Sequence, residues 1–183
     1  MNIKRALEID GWMSEQELEW LAERASEHKV IVEVGCFLGR TTRALADNTS
    51  GIVHAVDMWL IEPEWDENAK VTDPEAWKLF KSYIDPFSTF QKNLEDLIPH
   101  KVIPFKGKWE IFGGITPDMI FIDADHNYGN VFRDIAHAMY MMGSGIICGH
   151  DYDSNVWPDV KRAVDNLFSK VEQPVGSIWS VRI

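Results

Sequence analysis

Val30-Ile31-Val32-Glu33-Val34-Gly35-Cys36-Phe37-Leu38-Gly39-Arg40-Thr41-Thr42 is the stretch that decides the fold. Its first half is a nearly unbroken β-branched run, the composition of a strand covered on both faces. Gly35 and Gly39 then punctuate the chain, and Arg40 to Asp47 reads as a helix. Strand, glycine turn and helix together form the opening unit of a parallel α/β sheet. The same alternation extends outward. Gly51 to Val56, ending at Asp57, supplies a second strand, Lys101 to Phe105 a third, Asp118 to Ile122 a fourth and Gly145 to Gly149 a fifth. Upstream, Ser14-Glu15-Gln16-Glu17 is a capping box, and Leu18, Leu21, Ala22 and Ala25 follow at helical spacing, which gives a helix to about His28. Downstream, Val131, Ile135, Ala138 and Met142 share one face of a helix from Asn130 to Met142, and Val160, Ala163, Val164 and Leu167 mark another. Val175 to Ile183 closes the chain as one strand, because Gly176 to Ile183 leaves little room for a full hairpin. The expected architecture is a three-layer α/β/α sandwich around a Rossmann-like, mostly parallel sheet of about seven strands.

A chain of 183 residues that is 45% hydrophobic suits one domain, residues 1–183. The stretch from Trp59 to Pro99 is longer than a crossover needs, and it carries Trp59, Trp65, Trp77, Phe80, Tyr83, Phe87 and Phe90. Two readings stay open: a crossover helix plus a surface helix with core aromatics, or a lid or dimer face spanning 59–99. A net charge of −11 argues against nucleic acid as a partner, since phosphate-backbone binders present a basic field. No run approaches the roughly 20 apolar residues of a membrane span, and Met1 to Asp10 lacks the apolar core of a leader. Cys36 and Cys148 lie in apolar, strand-like runs without disulfide or zinc spacing, so they read as buried free thiols in a reducing, cytoplasmic setting. A small-molecule substrate is the expected partner, and the aromatic stretch allows a homo-oligomer.

Ligands of open α/β sheets bind beyond the carboxyl ends of the strands, where Gly35 and Gly39 fall. The E-x-G-x-x-x-G spacing departs from the G-x-G-x-x-G dinucleotide fingerprint. Asp57, at the end of the second strand, is placed either to accept the ribose hydroxyls of an adenosine-bearing cofactor or to cap a turn. Glu33 is a carboxylate inside a β-branched run, costly to bury without a partner, and a role holding a cationic amino-acid group accounts for it. The tips of the fourth and fifth strands carry Asp123, Asp125 and His126 on one side and His150, Asp151 and Tyr152 on the other. Such donors converge either on a divalent cation such as magnesium or around a general base, His126 or His150. His126 also reads as a turn histidine, Asp125 as a cap and Tyr128 as packing beneath the turn. His28, His54, His100 and His137 read as structural or exposed.

Val32-Glu33-Val34-Gly35 through Gly39-Arg40-Thr41-Thr42, Val56-Asp57, Phe121-Ile122-Asp123-Ala124-Asp125-His126-Asn127-Tyr128 and Gly149-His150-Asp151-Tyr152 together resemble the class I S-adenosylmethionine (SAM)-dependent methyltransferases. The resemblance is to the branch of small-molecule and sugar O-methyltransferases that includes the cephalosporin hydroxylase-like proteins. It implies SAM as cofactor, with Glu33, Gly35, Phe37, Gly39 and Thr41 around its methionine part and Asp57 on the ribose. Met58, Lys108 and Trp109 would lie near the adenine, and Asp123 would border both the cofactor and the reacting groups. In the metal-dependent branch the positions of Asp123, His150 and Asp151 hold magnesium. His150 stands where relatives carry a carboxylate or amide, which leaves open a softer metal or a metal-free base. The implied reaction is methylation of a hydroxyl on a small molecule or sugar. A non-catalytic SAM- or nucleotide-binding module is the alternative. A nicotinamide oxidoreductase comes third, lacking G-x-G-x-x-G and a Tyr-x-x-x-Lys pair.

Overall fold

In the computed structural model, residues 1–60, 78, 82–83, 85–152 and 155–183 are described; Trp65, Trp77 and Phe80, three aromatics of the long second crossover, lie outside them. A one-turn helix α1 (Lys4–Leu7) precedes α2 (Glu15–Glu27), β1 (Val30–Val34), α3 (Arg40–Asn48) and β2 (Ile52–Asp57). Then come α4 (Pro86–Asn93), β3 (Val102–Lys106), a 3-10 turn at Trp109–Ile111, β4 (Met119–Ile122) and α5 (Tyr128–Met141). β5 (Ile146–Gly149), α6 (Pro158–Leu167), β6 (Glu172–Val175) and β7 (Ile178–Arg182) complete the order. The seven strands form one sheet, ordered β3-β2-β1-β4-β5-β7-β6. β1 to β5 run parallel, and β7 enters antiparallel beside β5 with β6 outside it.

The order reverses between β1 and β4, since β2 and β3 lie on one side and β5 on the other. That reversal opens a crevice at the carboxyl ends of β1 and β4. The period of two along each strand divides the core between the sheet's two faces. Ile31, Phe121 and Cys148 face α2 and α3, while Val32, Ile120 and Ile147 face α5 and α6. Glu33 points to the first of these faces, toward Thr42 on α3. The Ser14/Glu17 capping box forms as expected and starts α2. Cys36 and Cys148 are buried free thiols.

Two expectations are corrected. The last segment is a hairpin, because its first strand, β6, is drawn from Glu172–Val175, ahead of the expected start, and Gly176 at φ +50° turns the chain into β7. α5 begins at Tyr128, ahead of its first core residue, because Asn127 caps it by accepting from the Asn130 amide. In the aromatic crossover, Trp59 and Phe90 are core residues, and Phe87 packs beside them.

Candidate active site

The glycine loop is built by backbone contacts. Gly35 has φ +85°, and a Cβ there would fall 2.0 Å from the carbonyl oxygen of Asp123 at the tip of β4. Only glycine allows that approach. Gly39 (φ +91°) caps α3 against the side chains of Leu94 and Phe90. Asp57 clamps the loop: the Cys36 and Phe37 amides donate to its Oδ2 at 2.7 and 2.9 Å, and the Trp59 amide donates to Oδ1 at 2.6 Å. Burial raises the Asp57 pKa despite these bonds. The expected ribose acceptor is thus a turn clamp: its Oδ2 accepts two amides and its Oδ1 one. Trp59 in turn donates from Nε1 to the Phe37 carbonyl at 2.7 Å.

Glu33 is 1% exposed. Thr42 on α3 donates a short hydrogen bond to its Oε2, while Oε1 has no partner among the described residues. Burial pushes its pKa up to about 8, with Asp123 and Asp57 adding repulsion and Thr42 opposing. Thr41 is buried beside Thr42, but it is Thr42 that touches Glu33. The resemblance implies a role for Thr41 toward the cofactor, whereas Thr42, one position further along α3, is the residue turned toward Glu33 on β1.

The second half of the site is made of side chains. Asp123, His150 and Asp151 each place one ligand-capable atom within 4.8 Å of the others. His150 Nδ1 lies 3.4 Å from Asp151 Oδ2 and 3.9 Å from Asp123 Oδ1. His126 Nε2 sits 2.8 Å from the same Asp151 oxygen and 3.8 Å from Asp123, out of line for a good hydrogen bond. Burial alone would lower both histidines, but the carboxylates outweigh it and hold His126 at about 9 and His150 at about 11. The two imidazoles keep Asp151 well below the usual carboxylate range. Trp157 stacks on His126 at 4.5 Å, an aromatic wall that no sequence motif announces. A narrow pocket lined by Asp123, His126, His150, Val160 and Trp179 enters the cluster. A roomier surface hollow, beside Trp20 and Val175, has no such converging donors among the described residues.

Other expected residues lie outside the group formed by Asp123, His150 and Asp151. Tyr152 turns away to donate to Asp165 on α6, and Lys161 donates to its hydroxyl. Asp125 braces its turn by accepting from the Asn127 amide and the Asn130 side chain. The Trp109 indole is buried against α5 and donates to the Asp134 carbonyl, while Lys108 is exposed and Met58 half-buried. On the outer side of the loop, Trp12 stacks on Phe37 at 4.8 Å and Tyr83 meets Phe37 edge-on.

The profile of a methyltransferase domain matches residues 32–152. Among solved structures, the O-methyltransferase NovP aligns with a TM-score of 0.68 at 15% identity, covering 91% of this chain and 79% of that one. An O-methyltransferase from Bacillus cereus in complex with SAH aligns at 0.65 and 16%, covering 99% and 90%. TomG from Streptomyces achromogenes, an O-methyltransferase of tomaymycin synthesis in complex with SAM, aligns at 0.61 and 15%, covering 93% and 81%. These likenesses show the shared fold. No curated protein sequence matches the chain significantly. A profile match over most of the chain, on the sheet whose reversal carries the Gly35–Gly39 loop, shows that this protein belongs to the methyltransferase-domain family.

Proposed function

We propose that this methyltransferase uses SAM to methylate a hydroxyl of a small molecule or sugar, with a divalent cation held by Asp123, His150 and Asp151. One observation carries the reading: Asp123 belongs to both halves of the site. Its carbonyl oxygen abuts Gly35, while its carboxylate faces His150, so the cofactor loop and the polar cluster meet at this one residue. The cofactor fits what the chain offers. Glu33 Oε1 is a buried acceptor with no partner among the described residues, suited to an ammonium group, and the Asp57 carboxylate at the end of β2 suits a hydroxyl. SAM supplies an electrophilic methyl group when bound. The neighbouring solved structures that contain SAM or SAH support this assignment.

Two carboxylates and an imidazole are a mixed oxygen and nitrogen donor set compatible with magnesium or manganese. A cation there would lower the pKa of a bound hydroxyl. The same cation would offset the carboxylate charge that holds a proton on His126, and His126, against the wall of Trp157 and beside Asp151, would then be placed as a neutral base to take the hydroxyl proton. The strongly acidic composition, with net charge −11, fits a small acceptor rather than a nucleic acid. No helix among the described residues is long and apolar enough to cross a membrane. The buried thiols suit a reducing, cytoplasmic setting.

SAM and SAH are expected to raise the melting temperature while NAD does not; equal stabilisation by NAD returns the chain to the oxidoreductase reading. Transfer to a panel of hydroxyl acceptors should stop in excess chelator and return with magnesium or manganese, with SAM affinity unchanged. Full turnover in chelator would remove the metal and leave His126 or His150 as the base. Binding of SAM without transfer to any acceptor would instead favour a non-catalytic module.

A further inference from the structure

Glu17 is legible in the sequence only as the last residue of a capping box, yet its carboxylate reaches the reactive cluster. Its side chain is 7% exposed. Oε2 accepts from the Ser14 amide at 2.9 Å and the Ser14 hydroxyl at 2.7 Å, which completes the cap. Oε1 faces the other way. It accepts from the Ser177 amide at 3.0 Å and lies 3.2 Å from His150 Nε2. The β6–β7 hairpin closes on this oxygen so tightly that a Cβ at Gly176 would fall 2.2 Å from it. Ser177 then fastens the cluster's own loop: the Asp151 amide donates to its hydroxyl at 3.3 Å and the Tyr152 amide to its carbonyl at 2.9 Å.

An ionised carboxylate oxygen only accepts, so the ring atom facing it must carry the hydrogen. With Nε2–H directed at Glu17, the other ring nitrogen, Nδ1, is the one turned to Asp123 and Asp151. Histidines that ligate metals characteristically donate their second N–H to a carboxylate, which fixes tautomer and ring plane. We infer that Glu17 is a positioning residue: it fixes the His150 ring so that Nδ1 is presented to the Asp123–Asp151 cluster. The N-cap of α2 and the C-terminal hairpin thereby become parts of the site. The inference rests on the reading of that cluster as a cation site or base.

The imidazole N–H signals of His150 are followed by nitrogen-15 NMR in wild type, Glu17→Gln and Ser14→Ala, alongside manganese titration by electron paramagnetic resonance. Glu17→Gln keeps the side-chain volume but sets an amide N–H against one of the donors; Ser14→Ala removes the cap and leaves the His150 contact. A downfield, exchange-protected Nε2–H is expected in wild type and Ser14→Ala with or without metal, and its loss in Glu17→Gln. Manganese affinity should fall about 10- to 100-fold in Glu17→Gln and stay within about twofold in Ser14→Ala, even though Ser14→Ala is the less stable protein. If wild type binds no manganese but its Nε2–H is protected and depends on Glu17, the cation reading falls and the positioning role stands. An unprotected Nε2–H in wild type, or a folded Glu17→Gln with wild-type spectra and wild-type manganese affinity, overturns it.

Discussion

The loop after β1 and the cluster at the ends of β4 and β5 lie side by side and are built by opposite means. The loop is a backbone structure: glycine angles, amides gathered by Asp57, and a main-chain contact between Gly35 and Asp123. The cluster is a side-chain structure whose atoms come from β4, the turn before α5, the end of β5, and α2. A backbone site tolerates no change at a few positions and is indifferent at others. A side-chain site distributes its geometry over many partners, each replaceable at graded cost.

The sharpest way to break this comparison is Gly35→Ala. The added methyl meets the Asp123 carbonyl in a left-handed backbone, so a loss above about 4 kcal/mol in denaturant unfolding, or failure to fold, is expected. A variant within about 1 kcal/mol of wild type would show that the loop moves freely against β4. Asp57→Ala comes next. Freeing three amides should weaken SAH binding by roughly 1–3 kcal/mol in calorimetry, with Asp57→Asn losing less because an amide oxygen still accepts. Unchanged affinity in both would place Asp57 outside cofactor binding.

The smallest effect concerns Glu33. Its folded pKa is raised to about 8, so the neutral acid stabilises the fold below the ordinary carboxylate range, and that contribution is lost as pH rises through about 8. Glu33→Gln should flatten this part of the melting profile. A cationic cofactor beside Glu33 would drive its ionisation, so binding near neutral pH should release up to about one proton in wild type and none in the variant. Calorimetry in buffers of different ionisation enthalpy reads it directly. Identical proton counts would show that the ammonium lies elsewhere.

The loop and the sheet are legible in the sequence because both follow local rules. The β-branched run at Val30–Val34, Gly35, Gly39 and the strand-terminal Asp57 carry their meaning within a short window. Asp123, His150 and Asp151 can be brought together because strand order follows from the α/β alternation. Glu17, Thr42 and Trp157 cannot be placed so readily. Glu17 satisfies a capping box fully without any reference to His150, 133 positions away. Trp157 gains its role only from how α6 lands against the turn that carries His126. The closing hairpin escapes sequence reasoning because its first strand, Glu172–Val175, is short, mostly exposed and carries Pro174, so it shows no apolar alternation.

Among the described residues, three other than glycine adopt positive φ: Phe37 at 46°, Trp59 at 47° and Asp151 at 60°. They sit where β1, β2 and β5 end, around the crevice. Each such conformation costs on the order of 1–3 kcal/mol, a sizeable share of the roughly 5–15 kcal/mol that holds a domain of ordinary stability together. The consequence concerns evolvability. A chain that keeps strain at its working end has a thinner margin for chance substitutions elsewhere, so changes in the sheet core that a relaxed domain would absorb should here be visible as loss of folded protein.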